Sequence, residues 1–259
     1  MLRAQLMRRG PGKSDGFRLR GTDVTRLEGF SDTVFGFAVT LLVVSLDVPT
    51  SFNDLINTMR DLLPFAVCFA ILCLLWYQHY RFFRRYGLHD TTMIVLNSLL
   101  LFVILAYIYP LKFLFRGFIG SLVGIQTQQA ELTGDQLATV FVIYGLGWVA
   151  VYTIFAIFYL HAYRRRASLE LNALETFDTR TSIYRNLGMV GVGLLSVLLG
   201  LLHVGISIGL PGWAYFLIAP MQALVGSWAG ARQRVLAERL SRQSVEASPQ
   251  PAPASDASS

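Results

Sequence analysis

Arg26-Leu-Glu-Gly-Phe-Ser-Asp32 runs without a break into Thr33-Val-Phe-Gly-Phe-Ala-Val-Thr-Leu-Leu-Val-Val-Ser-Leu-Asp-Val48. The second stretch reads as an apolar helix that enters a membrane. The first sets charged residues and a serine just where that helix begins, a depth at which ionisable groups are costly and usually have a job. At about 100° per residue, Thr33, Phe37, Thr40, Val44 and Asp47 fall on one stripe, while Ser31 and Asp32 point elsewhere. The stripe is therefore available to lipid, protein or a pore, and Ser31 and Asp32 to the rest of a bundle.

The remainder of the chain repeats the membrane signal. Hydrophobic residues make up 54% of it and charged residues 15%, against roughly 25% charged in soluble domains. Apolar runs near Leu27–Val48, Leu55–Phe83, Thr92–Phe115, Gln136–Tyr163, Ser182–Gly205 and Ile206–Ala231 each supply the ~20 residues that a span requires. The expected fold is an all-α membrane protein with six transmembrane helices. The last two runs are divided only by a weak break at Gly205-Ile-Ser-Ile-Gly209-Leu-Pro211. The expected organisation is a basic cytoplasmic segment over 1–25, a membrane domain over 26–232 and a disordered cytoplasmic tail over 233–259. The tail is rich in Pro, Ser and Ala, a composition that does not build a core.

Charge gives the orientation. With six spans, the arginines of the N-terminal segment, of Arg81–Arg85, of Arg164–Arg166 and of Arg232–Arg242 share one side. The other side holds Arg60, Lys112 and Arg116. Both termini are expected in the cytoplasm and the protein in the cell membrane as a multi-pass chain. This accounts for the net charge of +6 through topology and anionic lipid, without nucleic acid. The N-terminal segment lacks the short apolar core of a secretory signal. Cys68 and Cys73 sit on one apolar run, poorly placed for a disulfide and without metal-site company.

Partners for Ser31 and Asp32 are available at a matching depth. Asp32, His79 of Trp76-Tyr-Gln-His79, and Asn97 each lie five to seven residues from a charged flank (Arg26, Arg84 and Asp90). That is a common depth of roughly 8–10 Å. Buried polar groups in a bilayer must be satisfied inside the protein. A network of Arg26, Ser31, Asp32, His79 and Asn97 would lock spans one to three together. Taken singly, His79 reads as an interfacial histidine, Asn97 as a helix–helix contact and Arg26 as a snorkelling cation.

Arg26-x-x-x-Phe30-Ser31-Asp32, the run Val34–Val43, Val48-Pro49, Trp76-x-x-His79 and the stretch from Asn97 to Pro110 together resemble the transmembrane protein 175 family of potassium channels in its bacterial form. The resemblance covers about the first 115 residues. It implies a potassium-selective channel without the usual carbonyl filter, with first helices around a central pore and no cofactor beyond potassium as permeant ion. A single Arg-x-x-x-Phe-Ser-Asp string implies the one-repeat form and a homotetramer. Carried over by position, the pore constriction and selectivity layers are Phe37, Thr40 and Val44, with Leu41 near the wall. Arg26, Phe30, Ser31, Asp32, Trp76, His79 and Asn97 are the structural motif. Family members usually have isoleucine or leucine where this chain has Phe37. Four phenyl rings could close a pore by dewetting or offer π-faces to a cation. Asp47 would stand at the outer mouth, where a carboxylate ring concentrates cations. As a residue at the end of a span, it could equally be only solvated.

Other motifs carry nothing. Val142-Ile-Tyr144-Gly145 echoes a carbonyl filter but lies inside a continuous apolar run. The Gly-x-Gly pairs lack a strand and an acidic partner. No catalytic set or metal spacing is evident, so no enzyme is expected. The alternative function is an ion- or proton-coupled secondary transporter with Asp32 and His79 as a relay. The lack of an internal repeat and of a mid-depth break in the first helix weighs against it.

Overall fold

The computed structural model describes residues 13–14, 17–45, 48–123 and 132–246. A two-residue hairpin, β1 (Lys13–Ser14) and β2 (Phe17–Arg18), precedes the helices. The long helices are α1 (Arg26–Val44), α2 (Phe52–Tyr86), α3 (Thr91–Val123), α4 (Gly134–Arg164) and α5 (Ala173–Leu201). All five are long and apolar enough to cross a membrane. Helices of 29–35 residues, such as α2 to α5, reach about 45–50 Å and overrun a ~30 Å hydrocarbon core.

Local sequence sets the ends. Thr25, Ser51, Thr133 and Asn172 each accept from the backbone N–H three residues on. Gln136 and Glu175 complete reciprocal capping boxes on the last two. Gly87 ends α2 at φ 59°, a left-handed conformation natural to glycine.

The sixth expected run is not one helix. Gly205 and Gly209 both have positive φ, 66° and 68°. They bracket a 3₁₀ turn (Ile206–Ile208), after which come α6 (Leu210–Trp213), a second 3₁₀ turn (Ala214–Leu217) and α7 (Ile218–Glu246). The glycine spacing that suits close helix packing here makes a double turn instead. Helix α7 continues well past residue 232, into the segment expected to be disordered.

The core lies among α1 to α4. Phe82, Phe83, Phe155 and Phe158 are fully buried and meet ring to ring. Glycine permits the close approach of α4 to α5: a Cβ on Gly145 would stand 2.4 Å from Val197 Cγ2.

The N-terminal segment is more than a basic flank. Its Phe17 is buried against Tyr86, with the Arg85 guanidinium over its ring. Arg20 pairs with Glu175 at 2.7 Å and also donates to the Leu169 carbonyl. The backbone N–H groups of Arg20 and Gly21 donate to the Arg84 carbonyl, while Arg84 returns bonds to the carbonyls of Gly21 and Thr22. This strap ties the end of α2 to the start of α5 immediately before α1 begins.

Asp90 anchors the start of α3. Its carboxylate accepts from the Met93 N–H at 2.9 Å, His161 at 2.8 Å and Arg165 at 2.9 Å. Burial pushes this carboxyl up, but the Met93 amide, His161 and Arg165 outweigh it and hold it below its ordinary value of 3.8. A depressed folded value means the contribution is whole at neutral pH and fades as pH falls through the carboxylate range below about 4. Asp90→Ala is expected to cost about 1–2 kcal/mol at pH 7. The gap in thermal stability from wild type should narrow as the pH is lowered toward 3.5. A gap that stays constant with pH would remove the charge from the explanation.

Candidate functional site

Helix α1 has two unlike faces. Ser31, Phe35, Ala38 and Leu42 are buried against α2 and α3. Thr33, Gly36, Phe37, Thr40, Val43 and Val44 are exposed. Ser31 and Thr40 are nine residues apart, which at about 100° per residue puts them on opposite sides of the helix. The side that locks and the side that stays open are thus fixed by one register.

The lock is a buried chain of three side chains from three helices. Asn97 Nδ2 donates to Ser31 Oγ at 2.9 Å, and Ser31 Oγ donates to the Leu27 carbonyl at 2.8 Å. The Asn97 oxygen therefore faces His79, whose Nε2 donates to it at 2.7 Å. All three residues are at most 1% exposed. Each donor in the chain meets an acceptor, as a group out of water requires.

The larger expected network divides. Asp32 lies outside the buried chain and accepts from Trp76 Nε1 at 2.8 Å on the exposed surface. Arg26 is exposed and has no hydrogen bond or ion pair among the described residues. Phe30 is 57% exposed and turns toward the open face. The reason is angular, since positions 26 and 30 share the stripe of Thr33 and Phe37, away from Ser31.

On the open face, Phe37 is 57% and Val44 73% exposed. Leu41 is half-buried and packs against the core instead. Thr40 Oγ1 donates to the Gly36 carbonyl at 3.0 Å, and Thr33 Oγ1 to the Gly29 carbonyl at 2.9 Å. Back-bonding uses each hydroxyl proton and leaves the oxygen lone pairs for a partner outside the helix. Thr33 was on the stripe but not among the expected pore layers; its exposed hydroxyl makes it equivalent to Thr40 in chemistry. Asp47 lies outside the described residues.

The far end of α1 is also held. Lys112 of α3 donates to the Ser45 carbonyl, setting a cation at the negative end of the helix dipole. Arg116 pairs with Asp61 at 3.1 Å between α3 and α2. Among the described residues no group of three His, Cys, Asp or Glu side chains is placed to hold a metal.

Fold and site define an all-α membrane protein whose first helix is clamped on one face and bare on the other. The family described as "Endosomal/lysosomal potassium channel TMEM175" matches residues 26–107. A potassium channel of Marivirga tractuosa is 41% identical over 235 residues, spanning 87% of this chain and 95% of its own. One from Chamaesiphon minutus is 30% identical over 97 residues, 34% of this chain and 48% of its own. The crystal structure of a Thr-to-Ala variant of the potassium channel MtTMEM175, bound to a nanobody–MBP fusion, superposes with a TM-score of 0.75. It is 42% identical and covers 85% of this chain and 99% of its own. The chain belongs to the TMEM175 family of potassium channels.

Proposed function

We propose that several copies of this chain, four in the simplest arrangement, surround a potassium-conducting pore with the open face of α1. The observation that carries this reading is a membrane-spanning helix with threonine hydroxyls and a phenylalanine exposed on the face opposite its clamp. A lone helix facing lipid has no use for Thr33 and Thr40 at successive levels. Around an axis, their lone pairs form rings that can take the place of part of a cation's hydration shell. Phe37, between them, supplies the apolar constriction, and Val44 an outer apolar level. Helix α1 is fixed at one end by the Ser31–Asn97–His79 chain and at the other by Lys112, so the levels keep their spacing.

In this reading the sixth crossing is composite, made by the helical run from Leu210 to Ala231. Both termini and the arginine-rich ends then lie in the cytoplasm, and the assembly sits in the cell membrane. Asp47, just beyond α1, would add acidic groups to the outer mouth.

Reconstitution into liposomes under a potassium gradient tests the reading. The protein should set a membrane potential near the potassium equilibrium value. Thr40→Ala should keep conduction and reduce potassium-over-sodium preference by about tenfold, equivalent to ~1.4 kcal/mol of lost discrimination. A folded oligomer that passes no ions, or a Thr40→Ala channel with unchanged preference, would count against the pore assignment.

A further inference from the structure

Both helices that hold α1 carry an interior proline, Pro64 in α2 and Pro110 in α3. From the His79–Asn97 bond, Pro64 is fifteen residues along α2 and Pro110 thirteen along α3. Those lengths are about 22 and 20 Å, so the two prolines share a level. Ser45, the C-cap of α1, is fourteen residues beyond Ser31 and stands at the same level. A proline inside a helix removes one ladder bond and crowds the carbonyl four residues back, so the helix bends there. In α3 the crowded carbonyl is that of Ala106.

A residue of α4 grips α3 at this bend. Tyr107 Oη donates to the Tyr144 carbonyl, and the Leu114 N–H donates to Tyr144 Oη at 2.9 Å. In an unbroken helix the Leu114 N–H turns to the Pro110 carbonyl, so a side chain from the neighbouring helix enters the ladder here. Buried Tyr144 thus clasps α3 on both sides of Pro110. Gly147, where a Cβ would collide with the Tyr107 ring, lets the two helices close on the clasp. Packing is incomplete beside it. Just inward of Pro110 an apolar cavity of about 30 Å³ separates α2, α3 and α4, lined by Leu72, Leu75, Tyr107, Ile108, Leu111 and Trp148 among others. Tyr107 and Leu114 share one face of α3, and Lys112 lies about 140–160° round from them. Lys112 therefore points away from the clasp, and it donates to the Ser45 carbonyl of α1. On the outer side of both prolines, Arg116 of α3 pairs with Asp61 of α2.

We propose that Tyr144 is a positioning residue for conduction: by fixing the bend of α3 at Pro110 it sets, through Lys112, where the outer end of α1 stands. Its effect on ion flow rests on the reading that the open face of α1 lines the pore; its effect on the place of α1 does not. Lys112 holds Ser45 toward α3, on the side away from that open face. When the clasp is lost, the bend of α3 is free to vary beside the cavity, and the pull on Ser45 slackens. The Val44 level then moves toward the axis and narrows an apolar segment, which sheds water and excludes ions. Tyr144→Phe isolates this role from packing. It keeps the ring and the backbone carbonyl that Tyr107 uses, and the Leu114 N–H still has the Pro110 carbonyl one turn back.

Two readouts on the reconstituted full chain test this. The first is potassium flux, which Y144F should lower about threefold, the worth of one hydrogen bond between membrane helices. K112M should lower it by as much, and the double variant no further, since both act on one link. P110A closes the α3 ladder without the clasp, so adding Y144F to it should change nothing. Y109F, next to Pro110 but exposed, should match wild type. The second readout is the distance between spin labels on V44C of different copies, in a C73A background because Cys68 is fully buried. Y144F should shorten and broaden that distribution. Label distances unchanged by Y144F overturn the proposal, as does an equal fall in flux with and without P110A. Altered distances with unchanged flux leave Tyr144 placing the end of α1 and count instead against the pore reading. If Y144F does not fold, Y107F opens the other half of the clasp, and wild-type label distances in folded Y107F would be equally fatal.

Discussion

Phe37→Ala should raise potassium flux through the reconstituted protein by about tenfold or more, since each ~1.4 kcal/mol removed from a barrier is a factor of ten. Phe37 is more than half exposed although it lies in the middle of a membrane-spanning helix, one turn from Thr40 and one from Thr33. Its ring contributes little to the subunit core, so the substitution should leave folding nearly intact. What it removes is apolar volume at the proposed axis. Narrow apolar segments shed water and exclude ions, and shortening the side chain to a methyl lets water return. Stopped-flow flux or single-channel recording reads the result. Lower flux with altered preference among monovalent cations would indicate that the ring faces hold the ion rather than exclude it. Flux unchanged in a folded oligomer would place the constriction at another level.

The second large effect is expected at Asn97. Asn97→Ala removes the one side chain that bonds both Ser31 and His79, and it strands a buried donor on His79. Leaving a buried polar group unmatched costs about 1–3 kcal/mol, and bonds between membrane helices are worth about 0.6–2 kcal/mol. A loss of about 2 kcal/mol in the stability of the purified protein is therefore expected. Conduction should fall with it, because α1 loses its anchor to α2 and α3. Ser98→Ala, on the exposed side of α3 and bonded only to its own helix, should lie within about 0.5 kcal/mol of wild type. A double-mutant cycle between Asn97 and His79 should show coupling. Plain additivity, together with an unshifted melting temperature for Asn97→Ala, would mean that the three side chains do not act as a lock.

Much of this was legible in the residues because membranes simplify the code. A span must be a helix, so apolar length alone located five helices to within a few residues at most ends. The opposition of Ser31 to the Phe37–Thr40 face also followed from helical period alone. Arg26 and Phe30 misled because a shared motif and a shared depth do not imply a shared face. At about 100° per residue both belong with Thr33, not with Ser31. The run after Gly205 misled because hydropathy cannot tell a continuous α-helix from one interrupted by a 3₁₀ turn between two left-handed glycines. That choice depends on backbone dihedrals.

The amino-acid sequence by itself determined that this is a membrane protein, where five of its helices run, and which family its first hundred residues resemble. Those properties follow from local quantities: transfer energy summed along a helix, charge at its ends, and angular spacing around it. Only the tertiary structure decided that Ser31, Asn97 and His79 form one chain while Asp32 goes to Trp76. It alone docked the N-terminal strap on Glu175 and set the Arg185 guanidinium against Gly226. Each of these depends on the rotation of one helix against another. A rotation of a few tens of degrees changes every partner without changing the hydropathy of any segment.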